Sequence, residues 1–283
     1  MRSPKLLACA LLAIASSSIA SCSDAPSNRS SREERLGGSA RPETRRAATQ
    51  ANRTPIRPED VSFAATDGMR IHATLWRAPE QSSPAVVLVH QLSRDRSEWT
   101  PLVNRLTRAP ALSVLAIDLR GHGASTRRPS GETIEWSGMT TDDWRAIELD
   151  VAAAVRFVRP GAGARLAAPK VAIVGSSIGS SAAVRAAVLD DAVVAVAALS
   201  PGRAYRGVDS IAPLRHWGSR RLWVLATTRD RASAEAAYDM RRVVRQSVGR
   251  IVEGQAHGLE MASEVPGLFD EIASFVREAL DVT

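Results

Sequence analysis

One stretch of the chain, residues 170–188 (KVAIVGSSIGSSAAVRAAV), constrains the fold more than any other. It begins with a short apolar, β-branched run at 170–174, which is typical of a parallel strand covered on both faces. From residue 178 to residue 189 the pattern changes to that of an Ala-rich helix. The stretch therefore predicts a buried strand that passes through one tight turn directly into a helix, with Ser177 at the turn.

The turn itself, residues 175–179, reads GSSIG and matches the pattern G-x-S-x-G. Glycines on both sides leave room for a strained serine whose hydroxyl projects from the top of a sheet as a nucleophile. The helix that follows supplies free N–H groups and a positive dipole end where negative charge would develop. An ordinary Ser/Gly loop is the alternative interpretation. The strand before the motif and the helix after it favour a nucleophile at Ser177.

The first 21 residues have the layout of an export signal: a short basic start, an apolar run at 6–15 and small residues after it. The apolar run is too short to span a bilayer as a stable helix. Residues 19–22 (IASC) resemble the bacterial lipobox, in which cleavage precedes a cysteine that is then acylated. This resemblance predicts a lipid anchor, such as palmitate, on Cys22. An ordinary signal peptide with a stray cysteine is the alternative.

A lipid anchor would attach the mature chain to a membrane of the cell envelope. Ser23 follows Cys22, and in the lipoproteins that the motif resembles this favours the outer membrane where the source has two membranes. The only other cysteine, Cys9, lies inside the predicted signal. The mature chain therefore has no intramolecular disulfide to form, despite an oxidising destination.

Residues 22–58 are rich in Ser, Arg, Pro and Ala without apolar periodicity, and they predict a disordered, solvated tether. This segment holds eight arginines and four acidic residues, and the signal adds Arg2 and Lys5, so most of the net charge of +7 lies before Glu59. The remaining chain carries a charge of about +1. It offers no basic patch that would call for a nucleic-acid partner.

The remainder, residues 59–283, predicts one α/β domain. An apolar/polar alternation at 61–65 and 71–75 around Asp67-Gly68 predicts an antiparallel hairpin. Helical patterns then separate further strands, predicted at 84–90, 113–119, 170–174, 192–199, 221–226 and 249–252, and a helix at 265–280 ends the chain. This alternation predicts a mostly parallel sheet with helices on both faces and ligands at the carboxyl ends of the strands. The segment between Gly202 and Arg220 leaves room for little or no cap.

A serine hydroxyl needs a neighbouring base, and the base needs an acid that fixes its tautomer. Asp230 follows the strand at 221–226 by a short loop, and His257 follows the strand at 249–252. Both are therefore expected at the sheet edge where Ser177 lies. Asp209 is the other carboxylate that a loop after a strand could deliver, but Asp230 lies nearer to the end of its strand.

The chain order Ser, Asp, His is that of the α/β-hydrolases, and from about residue 60 to 283 the chain resembles α/β-hydrolase-fold serine hydrolases. Lidless esterases and dienelactone-hydrolase-like members are the most similar. The matching segments are VLVHQ (87–91), DLRGHGAS (118–125), GSSIG (175–179), the Asp230 loop and AHG (256–258).

The resemblance implies Ser177 as the nucleophile, His257 as the base and Asp230 as the acid. It also implies an oxyanion hole formed by the backbone N–H groups of Gln91 and Ile178, a small-molecule ester substrate, and neither cofactor nor metal. Many members carry glycine where this chain has Gln91. Because the donor is a backbone N–H, the hole should survive, although the pocket narrows. A serine rather than a cysteine at the turn argues against the dienelactone hydrolases themselves.

Other polar residues have structural interpretations. His90 and His122 are expected to position loops, because no second ligand at zinc-like spacing accompanies either. His216 is expected at the surface, and Asp118 and Asp150 are expected to make structural hydrogen bonds. The sequence thus predicts a lipid-anchored serine hydrolase that cleaves carboxylic esters through an acyl-enzyme. The alternatives are a binding module of the same fold without turnover and a peptidase or thioesterase that uses the same triad.

Overall fold

The computed structural model describes residues 56–108, 111–161 and 166–282. The predicted signal peptide, Cys22 and nearly all of the predicted tether lie outside the described residues. The first strand begins at Pro58, at the predicted domain boundary. Within the described part of the chain, no helix is long and apolar enough to cross a membrane.

The described residues form one sheet in the spatial order β1-β2-β4-β3-β5-β6-β7-β8. The strands are β1 (Pro58–Ala64), β2 (Arg70–Trp76), β3 (Ala85–Val89), β4 (Ser113–Ile117), β5 (Val171–Ser176), β6 (Val193–Leu199), β7 (Arg221–Thr227) and β8 (Val248–Val252). Strand β2 pairs antiparallel with both β1 and β4, and all other neighbours are parallel. The predicted fold class, a mostly parallel sheet that opens with an antiparallel hairpin, is confirmed.

The helices of the described residues cover both faces of this sheet. They are α1 (Thr100–Leu106), α2 (Thr141–Arg145), α3 (Ile147–Val158), α4 (Ile178–Ala187), α5 (Arg231–Val243) and α6 (Leu268–Ala279). Short 3₁₀ turns lie at Arg96–Trp99, Trp136–Gly138, Tyr205–Gly207, Ala212–His216 and Gly258–Ser263. The segment between β6 and β7 therefore holds only two short turns, as the prediction of little or no cap requires.

The central strands are continuous apolar runs because both of their faces are buried. In β3, Val87 and Val89 pack into the core layer that contains α3 and α4, whereas Val86 and Leu88 pack into the opposite layer with α1 and α6. Successive side chains of a strand point to opposite faces, so a run without polar residues fits only a strand that is covered on both sides. This strand ends immediately before His90 and Gln91, at the edge where the site lies.

Two differences from the predicted helices have a local conformational cause. The apolar residues from Trp144 to Val158 have helical spacing, which predicts one helix in this part of the sequence. The structure breaks this helix at Ala146, which has φ −76° and ψ −5°. The last helix begins at Leu268 rather than at residue 265, because Gly267 adopts a left-handed conformation with φ 77°. Helix ends depend on such local conformations more than on apolar spacing.

Candidate active site

Ser177 lies on a strained turn between β5 and α4. Its φ of 53° and ψ of −119° are unusual for a residue with a side chain, and such conformations cluster at functional sites. The flanking glycines allow the turn, because a Cβ on Gly179 would overlap the backbone of Val89 and one on Gly175 would overlap the backbone of Gly179. The close approach of strand and helix therefore fixes the serine at the carboxyl edge of the sheet.

His257 contacts both other members of the predicted triad. Its Nε2 atom lies 2.7 Å from Ser177 Oγ, and its Nδ1 atom lies 2.6 Å from Asp230 Oδ2. The carboxylate accepts from Nδ1–H, and this leaves Nε2 free to accept the proton of the serine hydroxyl. These residues are 80 and 27 positions from His257 in the chain, so only the fold brings them together.

Asp209, the alternative acid, lies elsewhere. Its Oδ1 atom accepts from the backbone N–H of Ile211 at 2.8 Å and from that of Ala212 at 3.1 Å. The carboxylate of Asp209 therefore organises the segment between β6 and β7, and the partner of His257 is Asp230.

A cavity of about 380 Å³ opens beside the serine. Ser177 and His257 line it on one side, and Leu92, Ile178 and Tyr205 contribute apolar surface. This volume lies near the lower end of the range for small-molecule sites, which is about 300–1,000 Å³. The arrangement can hold a small neutral molecule against the serine hydroxyl.

The oxyanion hole needs a correction. The backbone N–H of Gln91 is not available, because it donates to Glu98 Oε1 at 2.9 Å. The next residue, Leu92, lines the cavity, and its N–H has no acceptor among the described residues. Ile178 is the first residue of α4, so its N–H has no acceptor within the helix. At the cavity, Leu92 in the loop after β3 and Ile178 at the start of α4 thus each carry an N–H group without an acceptor among the described residues.

Comparison with known protein families agrees with this geometry. Residues 86–281 match the model of the alpha/beta hydrolase family, and this span includes the strained serine, the carboxylate and the histidine. The chain belongs to the alpha/beta hydrolase family. No curated protein sequence matches this alpha/beta hydrolase.

Solved structures with the same fold include several hydrolases. The esterase Pf2001 of Pyrococcus furiosus superposes with a TM-score of 0.61 at 15% identity, over 87% of this chain and 97% of that one. Acetyl xylan esterase 1 from Thermoanaerobacterium sp. superposes with a TM-score of 0.61 at 18% identity, over 81% of this chain and 86% of that one. The dienelactone hydrolase of Anabaena variabilis superposes with a TM-score of 0.54 at 16% identity, over 79% of this chain and 97% of that one. At sequence identities this low, the structural similarity shows a shared fold and not a shared substrate.

Glu98 is an ionisable group that the sequence did not point to. It lies beside Gln91 and Leu92, the segment after β3 that is called the oxyanion loop below. It is half-buried on the 3₁₀ turn after β3, and burial raises the pKa of its carboxyl to about 8. The neighbouring carboxylate of Glu260 adds to this rise, whereas the hydrogen bond from the Gln91 N–H and the charge of Arg94 oppose it. Near neutral pH the side chain is therefore mostly a neutral carboxylic acid.

The buried histidines of this alpha/beta hydrolase hold loops, as predicted. His90 Nε2 accepts from the backbone N–H of Leu119 at 3.0 Å, and Nδ1 lies 2.8 Å from the carbonyl oxygen of Gln91. Burial and the nearby His122 lower the pKa of His90 to about 3, so its ring is neutral. His122 Nδ1 lies 2.9 Å from the carbonyl oxygen of Arg120, while His216 is exposed.

The other buried carboxylates have structural partners. The carboxylate of Asp150 accepts hydrogen bonds from Arg120: from Nε, from Nη2 and from the backbone N–H, at 2.6 to 3.1 Å. Asp118 pairs with Arg96 and accepts the backbone N–H of Ala124 at 2.8 Å. Among the described residues, no group of three or more His, Cys, Asp or Glu side chains is arranged to hold a metal ion.

Proposed function

We propose that this alpha/beta hydrolase is a serine hydrolase that cleaves small carboxylic esters through an acyl-enzyme, and that an acylated Cys22 anchors it to the cell envelope. The single observation that carries the catalytic part is the hydrogen-bonded line from Ser177 through His257 to Asp230. A nucleophile, a base and an orienting acid within hydrogen-bond reach are the parts that acyl transfer requires.

In the first half of the reaction, the hydroxyl oxygen of Ser177 attacks the ester carbonyl carbon while His257 Nε2 takes the hydroxyl proton. The carboxylate of Asp230 stabilises the imidazolium that forms. The carbonyl oxygen becomes an oxyanion, which the N–H groups of Leu92 and Ile178 stabilise, aided by the positive end of the α4 dipole. Collapse of the tetrahedral intermediate breaks the ester C–O bond, and His257 returns the proton to the leaving alcohol.

In the second half, water replaces the alcohol at the same site. His257 removes a proton from this water, which attacks the acyl carbon, and the second oxyanion uses the same two N–H groups. Its collapse releases the carboxylic acid, and the proton on His257 returns to Ser177 Oγ. The cycle needs only water besides the ester.

The ester class is supported by the shape of the site. Among the described residues, no cap domain covers the cavity of about 380 Å³, since only two short 3₁₀ turns lie between β6 and β7. A small cavity that opens directly to solvent suits small esters with short acyl groups better than long-chain lipids.

The experiment that tests the function compares leaving groups on one acyl group. Purified protein is assayed with p-nitrophenyl acetate, an acetyl thioester and an acetyl anilide, and a Ser177→Ala variant serves as the control. We expect Ser177-dependent hydrolysis that is fastest with the oxygen ester. Faster thioester or anilide cleavage would move the activity to those classes, and no Ser177-dependent turnover of any substrate would favour the binding module.

A further inference from the structure

The proposed reaction assigns no role to the side chain of Gln91, which lies at the site. It lies two residues beyond the end of β3 and is only 7% exposed. A buried amide in such a place must find hydrogen-bond partners for both of its polar atoms.

Those partners lie at the end of β5 and on the 3₁₀ turn that follows His257. The amide oxygen of Gln91 accepts from Ser176 Oγ at 2.9 Å, and Nε2 donates to both carboxylate oxygens of Glu260 at 3.0 Å. Arg94 Nη2 also donates to Glu260, at 3.1 Å. The amide cannot be flipped, because its oxygen would then face a carboxylate. Its orientation is thus determined by one hydroxyl donor and one anionic acceptor.

The partners are chain neighbours of the reacting side chains. Ser176 directly precedes Ser177, and Glu260 lies on the 3₁₀ turn that directly follows His257. A single side chain therefore connects the nucleophile turn with the histidine loop, which are about eighty residues apart in sequence.

Gly258 brings the turn after His257 into direct contact with Gln91 and with the end of β5. It has φ 58°, and a Cβ at this position would overlap Gln91 Oε1 and Ser176 Oγ. Its N–H donates to Ser200 Oγ at 2.8 Å, which holds the other side of the loop. Gly258 is the residue after His257, so a single peptide unit separates the histidine from this contact.

We propose that Gln91 is a positioning residue, whose side chain holds Ser177 and His257 in register by joining Ser176 to Glu260. The inference rests on the proposed serine-hydrolase function. Displacement of a reacting group by about 1 Å can cost about a hundredfold in rate. Loss of the bridge should therefore lower kcat by about 10- to 100-fold and leave KM within about threefold.

The decisive variant is Gln91→Met, which keeps most of the side-chain volume and removes both hydrogen bonds. A second pair varies the acceptor: Glu260→Gln keeps an oxygen that can accept from Gln91 Nε2, whereas Glu260→Ala does not. We expect Glu260→Gln to retain most of kcat and Glu260→Ala to match Gln91→Met. The matched control is Gln255→Ala, which removes an exposed glutamine from the same loop and should leave kcat unchanged.

All variants are assayed with p-nitrophenyl acetate at least about 15 °C below their melting temperatures, so that stability and rate are separated. If Gln91→Met lowers Tm but leaves kcat within about twofold of wild type, Gln91 has a structural role only, and the inference is overturned. Equal impairment of Glu260→Gln and Glu260→Ala would overturn it as well. If the wild-type protein shows no Ser177-dependent hydrolysis, the proposed function fails first and the inference falls with it.

Discussion

The carboxylate of Asp230 holds His257 with one oxygen and caps helix α5 with the other. Oδ2 lies 2.6 Å from His257 Nδ1, and Oδ1 accepts the backbone N–H of Ser233 at 3.4 Å. The acid therefore sits at a helix N-terminus that packs on the sheet, not on a free loop. A group fixed on a rigid element keeps the imidazole in one orientation, and a catalytic base needs this.

Asp230→Asn should lower kcat by at least about a hundredfold, because an amide in place of the carboxylate leaves His257 in the wrong tautomer. Tm should change little, since asparagine is as good an N-cap as aspartate. Asp209→Asn is the matched control and should stay within about threefold of wild type. Steady-state kinetics and thermal melts of the two variants check this, and the reverse ranking would transfer the role of the acid to Asp209.

A fluorophosphonate should label Ser177 and none of its neighbours. The hydroxyls of Ser176, Ser180 and Ser181 are buried and donate to Gln91 Oε1, to the carbonyl oxygens of Gly175 and Leu199, and to the carbonyl oxygen of Gly202, respectively. Only Ser177 contacts an imidazole that can take its proton. Peptide mapping by mass spectrometry locates the adduct, and an adduct on one of the other serines would refute the assignment.

The regular part of this arrangement followed from local signals. The alternation of strands and helices, the strained turn at Ser177 and the positions of Asp230 and His257 just beyond strand ends all depend on residues close together in the chain. Parallel strands bring their carboxyl ends to one edge, so predicting each strand end was enough to assemble the triad.

The oxyanion loop could not be worked out in this way. Gln91 has partners 7, 85 and 169 residues away, and no local pattern predicts that Glu98 folds back onto its N–H or that Glu260 reaches its amide. The shift of the free donor from Gln91 to Leu92 depends on these tertiary contacts. Glu98, a charged residue seven positions after Gln91, gave no signal of its own.

Short-chain esters should be the better substrates. The cavity of about 380 Å³ lies near the lower end of the range for small-molecule sites and opens to solvent, so acyl carbons beyond a short chain are expected to gain little further contact with the protein. We expect kcat/KM for p-nitrophenyl acetate or butyrate to exceed that for the octanoate by at least about tenfold. Tyr205→Ala, which removes a ring that lines the cavity, should narrow this ratio. Equal or rising kcat/KM with chain length would contradict the proposed substrate class.

Cys22→Ser should release the protein into the soluble fraction when the full chain is expressed in a host that processes lipoproteins. Each buried CH₂ of an acyl chain contributes about 0.8 kcal/mol, so two or three chains outweigh any contribution of the tether's arginines. Fractionation before and after a high-salt wash checks this. A variant that stays in the membrane fraction after the wash would rule out the lipid anchor at Cys22.

Glu98→Gln should stabilise the protein increasingly as the pH rises. The pKa of Glu98 is about 8 in the folded protein, against an ordinary value of 4.5, because the carboxyl is buried beside Glu260. Between these two pH values the folded protein retains a proton that the unfolded chain has released, so the free energy of unfolding falls as the pH rises through this interval. The variant has no such titration and still accepts from the Gln91 N–H. Its gain in Tm over wild type should therefore be larger at pH 9 than at pH 5.

The same carboxyl should also set an alkaline limit on activity. Above pH 8, Glu98 is ionised, and its negative charge lies at the carboxylate that accepts from the Gln91 N–H. Leu92, the next residue, is a proposed donor to the oxyanion, so this charge would disfavour the oxyanion that develops during the reaction. Asp95 and Glu260 are already anionic neighbours, and Arg94 is the nearby cation. Wild-type kcat should thus fall at alkaline pH with an apparent pKa near 8. Glu98→Gln should remove this alkaline limb of the pH profile. The control Glu80→Gln, at an exposed site, should keep it. An alkaline limb that is identical in all three proteins would show that Glu98 does not govern the oxyanion loop.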